Sequence, residues 1–178
     1  MQTTPITRDD LARSVVSVPP LARNDDLSLN AEENQKLIGH LESGGVSTLL
    51  YGGNALLYHI APSQYADLLG QLEAWAAEDT LVIPSVGSSY GMMMDQAKVL
   101  CNTAYPTAMV LPQPNVVTYE GVERAIGDFV QAAGSQLWST SSSWAISKLR
   151  MLRDWWKVGR FRGSNMRLSK MILQSMNI

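Results

Sequence analysis

The sequence predicts an α/β protein of about four consecutive βα units, followed by a segment that does not continue the pattern. Three observations predict it. Short apolar runs alternate with longer amphipathic runs between residues 14 and 134. The short runs, such as TLVIPSV (80–86), are almost continuously apolar, as parallel strands covered on both faces are. The segments between them are long enough to hold the crossover helices that parallel strands require. A doubly wound sheet and a barrel both open in this way, so the pattern leaves the architecture open.

The elements follow in order. SVVSVPPLA (14–22) reads as the first strand, ended by Pro19 and Pro20, which have no N–H to give to a ladder. Asn30 caps the helix AEENQKLIGHLES, with Glu33 at the capping-box position and Leu37, Ile38 and Leu41 on its apolar face. Gly44 and Gly45 stop that helix. VSTLLY (46–51) is the second strand, followed by the loop GGNA. A helix starting at Ser63 places Leu68, Leu69, Leu72, Trp75 and Ala76 on one side. TLVIPSV is the third strand, and the turn GSSYG leads to a helix near MMMDQAKVLCN. AMVLP (108–112) is the fourth strand. A last helix, VERAIGDFVQAAG, sets Val122, Ile126, Phe129 and Val130 at helical spacing and stops at Gly134.

At Gly134 the composition changes. Residues 1–134 carry 6 Lys and Arg against 15 Asp and Glu, a formal charge of −9. Residues 135–178 carry 8 basic residues against Asp154 alone, a charge of +7, together with Trp138, Trp144, Trp155 and Trp156. Where a fifth buried strand is due, SQLWSTSSSWAIS offers a serine run. The organised domain is therefore 14–134, and 135–178 is a basic, Trp- and Ser-rich tail at odds with it.

Residues 14–134 resemble the first half of the dihydrodipicolinate synthase and N-acetylneuraminate lyase family. The strings that carry the resemblance are the first strand with its prolines, NAEENQKLIGHLESGGVSTLLYGGNA, LVIPSVGSSYGMMMDQA and AMVLP. The resemblance implies a (β/α)8 TIM barrel, of which this chain would hold about half, since such barrels run to about 250 residues. It also implies a lyase or synthase acting on pyruvate or a related 2-keto acid. In that chemistry a lysine amine condenses with the keto group as a Schiff base and a tyrosine relays protons.

The tail then reads as displaced by one base. If each intended codon joins the last base of one codon to the first two of the next, the genetic code forces several residues. They are Gly at Trp144-Ala145, Val at Trp155-Trp156, Glu at Trp156-Lys157, Asp at Met171-Ile172 and Glu at Met176-Asn177. With permitted codons elsewhere, the pairs from Gly134-Ser135 onward read KPIVVYIK. Those from Arg160-Phe161 to Asn177-Ile178 read VSWIKYAIVKDDPAVDEY. These strings look like the family's fifth and sixth strands, which bear its tyrosine and Schiff-base lysine. As written, Ser164 and Asn165 lie over that lysine. The expectation is a truncated, frame-shifted and inactive chain with no catalytic residue of its own.

The resemblance places the substrate carboxylate at Gly52, Gly53, Asn54 and Ala55. Here the family's paired threonines and acidic residue are replaced, leaving backbone donors and one amide. A tight turn that needs glycine would account for the same residues. Pro112-Gln113-Pro114 stands where many members place a tyrosine, a second departure.

Other residues point elsewhere. Lys98 reads as a solvated helix residue, and Cys101, the single cysteine, as a buried apolar packer. His40 and His59 are split by a strand and lack a third ligand, so neither metal nor cofactor is expected. Met92, Met93 and Met94 read as helix packing, and Glu73 and Asp95 lack a paired spacing for acid–base work. No apolar run reaches about 18 residues, and no secretory signal is visible, so a cytoplasmic protein is expected. The rival to a lyase fragment is a small binding protein whose basic tail engages nucleic acid or acidic membrane. Its basic residues fall on no single face, and neither partner is expected. Four βα units would leave two sheet edges and one sheet face open, so homo-oligomers or aggregates are expected.

Overall fold

Four parallel strands, β1 (Val16–Ser17), β2 (Thr48–Tyr51), β3 (Leu81–Val86) and β4 (Met109–Val110), form one sheet in the order β1-β2-β3-β4. Between them run the helices α2 (Ala31–Ser43), α3 (Pro62–Trp75) and α4 (Tyr90–Leu100), and α5 (Tyr119–Ala133) follows β4. A one-turn helix α1 (Arg8–Ala12) precedes the sheet. These coordinates come from a computed structural model that describes residues 1–87, 89–111 and 118–134, all within the unit Met1–Ser142. The fold is α/β, a partial TIM barrel of four βα units. Residues 135–178, read above as out of frame, and Pro112–Gln113–Pro114 lie outside the described residues.

Register assigns the two faces of the sheet. Thr48 pairs with Leu81, Leu49 with Val82, Leu50 with Ile83 and Tyr51 with Pro84; Ser85 pairs with Met109. Because side chains alternate, Leu49, Tyr51, Val82 and Val86 share one face, and all four are fully buried in the core. The helices supply the other side of that core. Leu68, Leu69 and Leu72 of α3 are each at 0 % exposure, and burial of one such leucine contributes about 1.5–3 kcal/mol. Ala97 and Leu100 of α4 and Phe129 of α5 join them. On the opposite, barrel-side face Leu50, Ile83 and Met109 are only half-buried.

Helix ends follow local chemistry. The Asn30 side chain accepts the Glu33 N–H at 3.0 Å, and α2 begins and ends where the sequence predicts. Gly44 donates to the carbonyls of the last turn, and Gly45 takes φ +83°, which side chains with a β-carbon resist. Ser89 and Thr118 cap α4 and α5 in the same way as Asn30. α3 starts at Pro62 rather than Ser63: proline fits the first helical position because its missing N–H has no partner there.

Four expectations are corrected. The first and fourth strands pair over two residues each, not nine and five; among the described residues both are edges with a neighbour on one side only. The capping box of α2 is half formed. Asn30 N–H already donates to the Ala22 carbonyl at 3.1 Å, and Glu33 instead meets Lys36 at 3.0 Å. Cys101 is exposed, because it falls at the C-cap of α4, where its thiol donates to the Lys98 carbonyl at 3.1 Å. α1 was not expected; Thr7 and Asp10 form a reciprocal capping box around it.

Candidate functional site

In a parallel sheet every strand delivers its following loop to the same end, and here that end gathers the loops after β1, β2 and β3. Gly52 and Ala55 are buried there, Gly53 is half-buried and Asn54 is exposed. The turn is closed by Leu56 N–H to the Gly53 carbonyl at 3.0 Å and Leu57 N–H to the Gly52 carbonyl at 3.3 Å. That geometry leaves the N–H groups of Gly53, Asn54 and Ala55 without an acceptor among the described residues. Three adjacent N–H donors at a strand's end can receive an oxyanion or a carboxylate. The Asn54 side chain is committed elsewhere: its amide donates to the Val18 carbonyl at 3.1 Å and ties this loop to the end of β1.

Glycine at position 52 is dictated by its neighbours. A β-carbon there would lie 2.8 Å from Met109 Cε and 3.1 Å from Ser85 Oγ. Gly52, Ser85 and Met109 thus form one row across β2, β3 and β4 on the barrel-side face, in line with the ladder pairing of Ser85 with Met109. Ser85 is at 0 % exposure and its hydroxyl has no hydrogen-bond partner among the described residues. Its backbone is held from behind. The Tyr65 hydroxyl donates to the Ser85 carbonyl at 3.1 Å, and burial pushes that phenol well above its ordinary range, so it stays a neutral donor. The next loop is fixed by Gln96, whose side-chain oxygen accepts the Gly87 N–H at 2.8 Å; Gly87 itself takes φ +95°.

The rim of this end carries Leu56 and Tyr58. Leu56 is 58 % exposed and holds φ +54°, a left-handed conformation that costs a branched side chain about 1 kcal/mol. Tyr58 approaches Gly53, and partial burial raises its hydroxyl.

No amine reaches this end among the described residues. Lys98 is on the surface of α4, where a 2.8 Å hydrogen bond to Asp95 holds its ammonium above the usual range, opposite to what a nucleophilic amine needs. Lys36 is held by Glu32 and Glu33 on α2 and is raised in the same way. His40 is exposed on α2 and His59 at the end of the short 3-10 turn Leu57–His59; no three His, Cys, Asp or Glu among the described residues are grouped to hold a metal. Met93 packs into the core between the half-buried Met92 and Met94. Glu73 and Asp95 are exposed and on different helices. No helix among the described residues is long and apolar enough to cross a membrane.

Four of the site residues named from sequence, Gly52 to Ala55, therefore sit together at one end of the sheet. Ser85, Tyr65, Met109 and Gln96 were missed. One signal was available: Ser85 is the one hydroxyl residue within the strand Leu81–Val86.

No protein-family model matches the chain, and no curated protein matches it. Solved structures do. The chain is similar to dihydrodipicolinate synthase from Rhodopseudomonas palustris, with a TM-score of 0.61 and 15 % identity over 75 % of this chain and 44 % of that one. It is also similar to dihydrodipicolinate synthase from Bacillus clausii (TM-score 0.59, 14 % identity, 68 % and 42 % covered). The enzyme of the same name from Oceanobacillus iheyensis gives a TM-score of 0.58 at 12 % identity, with 66 % and 40 % covered. The chain thus spans less than half the length of the solved structures it matches, and it shares the fold of that part of them.

Proposed function

We propose that this chain is a part of a Schiff-base lyase or synthase of the dihydrodipicolinate synthase family, acting on pyruvate or a related 2-keto acid, and that it is inactive as written. The observation that carries the reading is the loop Gly52–Ala55. It follows the second of four parallel strands and presents three N–H groups without an acceptor among the described residues. A carboxylate fits that donor set. Similarity to three dihydrodipicolinate synthase structures supports the family reading. In the intact enzyme an amine adds to the keto carbon, water leaves, and the protonated imine draws electrons from the neighbouring carbon. Neither Lys36 nor Lys98 is placed for this, and the amine is assigned to the shifted frame, at the codons of Ser164 and Asn165.

The test has two parts. The coding DNA near codons 134–135 should contain a site where a one-base change opens a frame encoding KPIVVYIK and VSWIKYAIVKDDPAVDEY. Absence of such a frame ends the frameshift reading. The chain as written, treated with pyruvate and borohydride, should gain no adduct, whereas the restored frame read to its own stop should be trapped at its lysine. Trapping and turnover by the chain as written would refute inactivity; no trapping by the restored protein would refute the lyase assignment.

A further inference from the structure

Ser85 presents an unexplained feature. Its Oγ is fully buried on the barrel-side face and has no partner among the described residues, an arrangement that native folds avoid. Its place in the sheet is not arbitrary. It flanks Gly52, the first residue of the loop with the unsatisfied N–H groups, and its own backbone is anchored by Tyr65 at 3.1 Å. Among the described residues two other buried hydroxyls lack partners, and neither shares this setting. Thr48 lies at the other end of β2, four residues or about 13 Å from Gly52 along the strand. Tyr51 points to the helix side of the sheet.

One neighbour of this point is movable. Met109 sets its terminal methyl beside the same point above Gly52. A methionine side chain has three rotatable bonds and no polar group to lose, so it can be displaced at little cost. Behind it lie a neutral hydroxyl donor and the start of the N–H row.

We propose that Ser85 is a ligand-binding residue: once Met109 swings aside, its hydroxyl hydrogen-bonds the carboxylate or keto oxygen of a small 2-keto acid seated on Gly53–Ala55. This rests on the reading of that loop as a keto-acid site. It adds a second strand to the site, and it explains a serine within an apolar strand.

The test is pyruvate titration of the full-length chain by ligand-observed NMR, with thermal midpoints measured in parallel. Ser85→Ala should weaken binding roughly tenfold, as loss of one hydrogen bond to a charged group does. Its midpoint should not fall, since a buried unpaired hydroxyl has been removed. Thr48→Val should bind as the parent does. Unchanged affinity in Ser85→Ala overturns the proposal. So does weakened binding accompanied by a lower midpoint, which marks a structural role, or an equal loss in Thr48→Val. If the parent binds pyruvate and Ser85→Ala binds equally, the loop reading survives and only the serine's role fails; if the parent binds none, both fail.

Discussion

Asn34 clasps the backbone of Ala22 at two points: its Oδ1 accepts the Ala22 N–H at 2.8 Å and its Nδ2 donates to the Ala22 carbonyl at 2.9 Å. The same nitrogen also donates to the Asn30 carbonyl at 2.8 Å. A side chain at 0 % exposure on the first turns of α2 thereby replaces the ladder partners that the segment after β1 lacks. Asn34→Ala strands the Ala22 N–H, while the Ala22 carbonyl keeps the Asn30 N–H, and should destabilise the chain by about 1–3 kcal/mol, read from urea unfolding. Asn34→Leu should be no better, because it restores volume and not the bonds.

Glu42 ties the end of α2 to the turn before β3. Its Oε1 accepts the Ala77 N–H at 2.8 Å and the Thr80 hydroxyl at 2.6 Å. Glu42→Ala should cost about 1–3 kcal/mol, since Thr80 is buried and loses its acceptor. Glu42→Gln keeps an acceptor oxygen and should lose less than half as much.

Gly52→Ala forces a methyl against Met109 and Ser85, and overpacking of this kind costs about 1–3 kcal/mol. Met109 is the movable neighbour. The double variant Gly52→Ala/Met109→Ala should therefore recover at least half of that loss, visible as a favourable coupling in a double-mutant cycle.

Alkaline pH should unfold the chain early. Burial raises the hydroxyls of Tyr51, Tyr65 and Tyr105, and Tyr105 also donates to the Leu69 carbonyl at 2.7 Å. A phenol in the unfolded chain releases its proton near pH 10, whereas these hold theirs in the fold. The folded state thus binds more protons above about pH 10, and stability falls as pH rises through that range and is flat below it. Urea midpoints at about pH 9 and about pH 11 should differ sharply, and less so in Tyr105→Phe after correction for its lower stability.

Val15 and Val16, 72 % and 42 % exposed at the β1 edge, should drive self-association through an unpaired strand. Sedimentation velocity should show species larger than the monomer that grow with concentration, and Val16→Lys should shift the distribution toward monomer. A single monomeric boundary for the parent at all loadings would contradict this.

Much of the fold is legible along the chain because neighbouring residues decide it. Asn30, Gly44 and Gly45 fix both ends of α2 through bonds within four residues, and a short, nearly continuous apolar run such as 81–86, ended by Gly87, reads as a largely buried strand. Asn34 and Tyr65 escaped because a polar side chain on a helix reads as solvent-facing; their partners are the Ala22 backbone and the Ser85 carbonyl, 12 and 20 residues away. Cys101 was misplaced for the opposite reason: apolar character suggested burial, but it falls just past the last turn, where α4 leaves the core.

The sequence by itself determined the α/β class, the four helices between and after the strands, and a glycine turn at residues 52–53, since each depends on periodicity, capping or backbone freedom close in the chain. The tertiary structure alone decided that Gly52, Ser85 and Met109 share one row, and that Leu50 and Ile83 face away from the helices. The physical reason is register. A shift of one residue between β2 and β3 would turn every one of these side chains to the other face, and nothing local to any single strand specifies it.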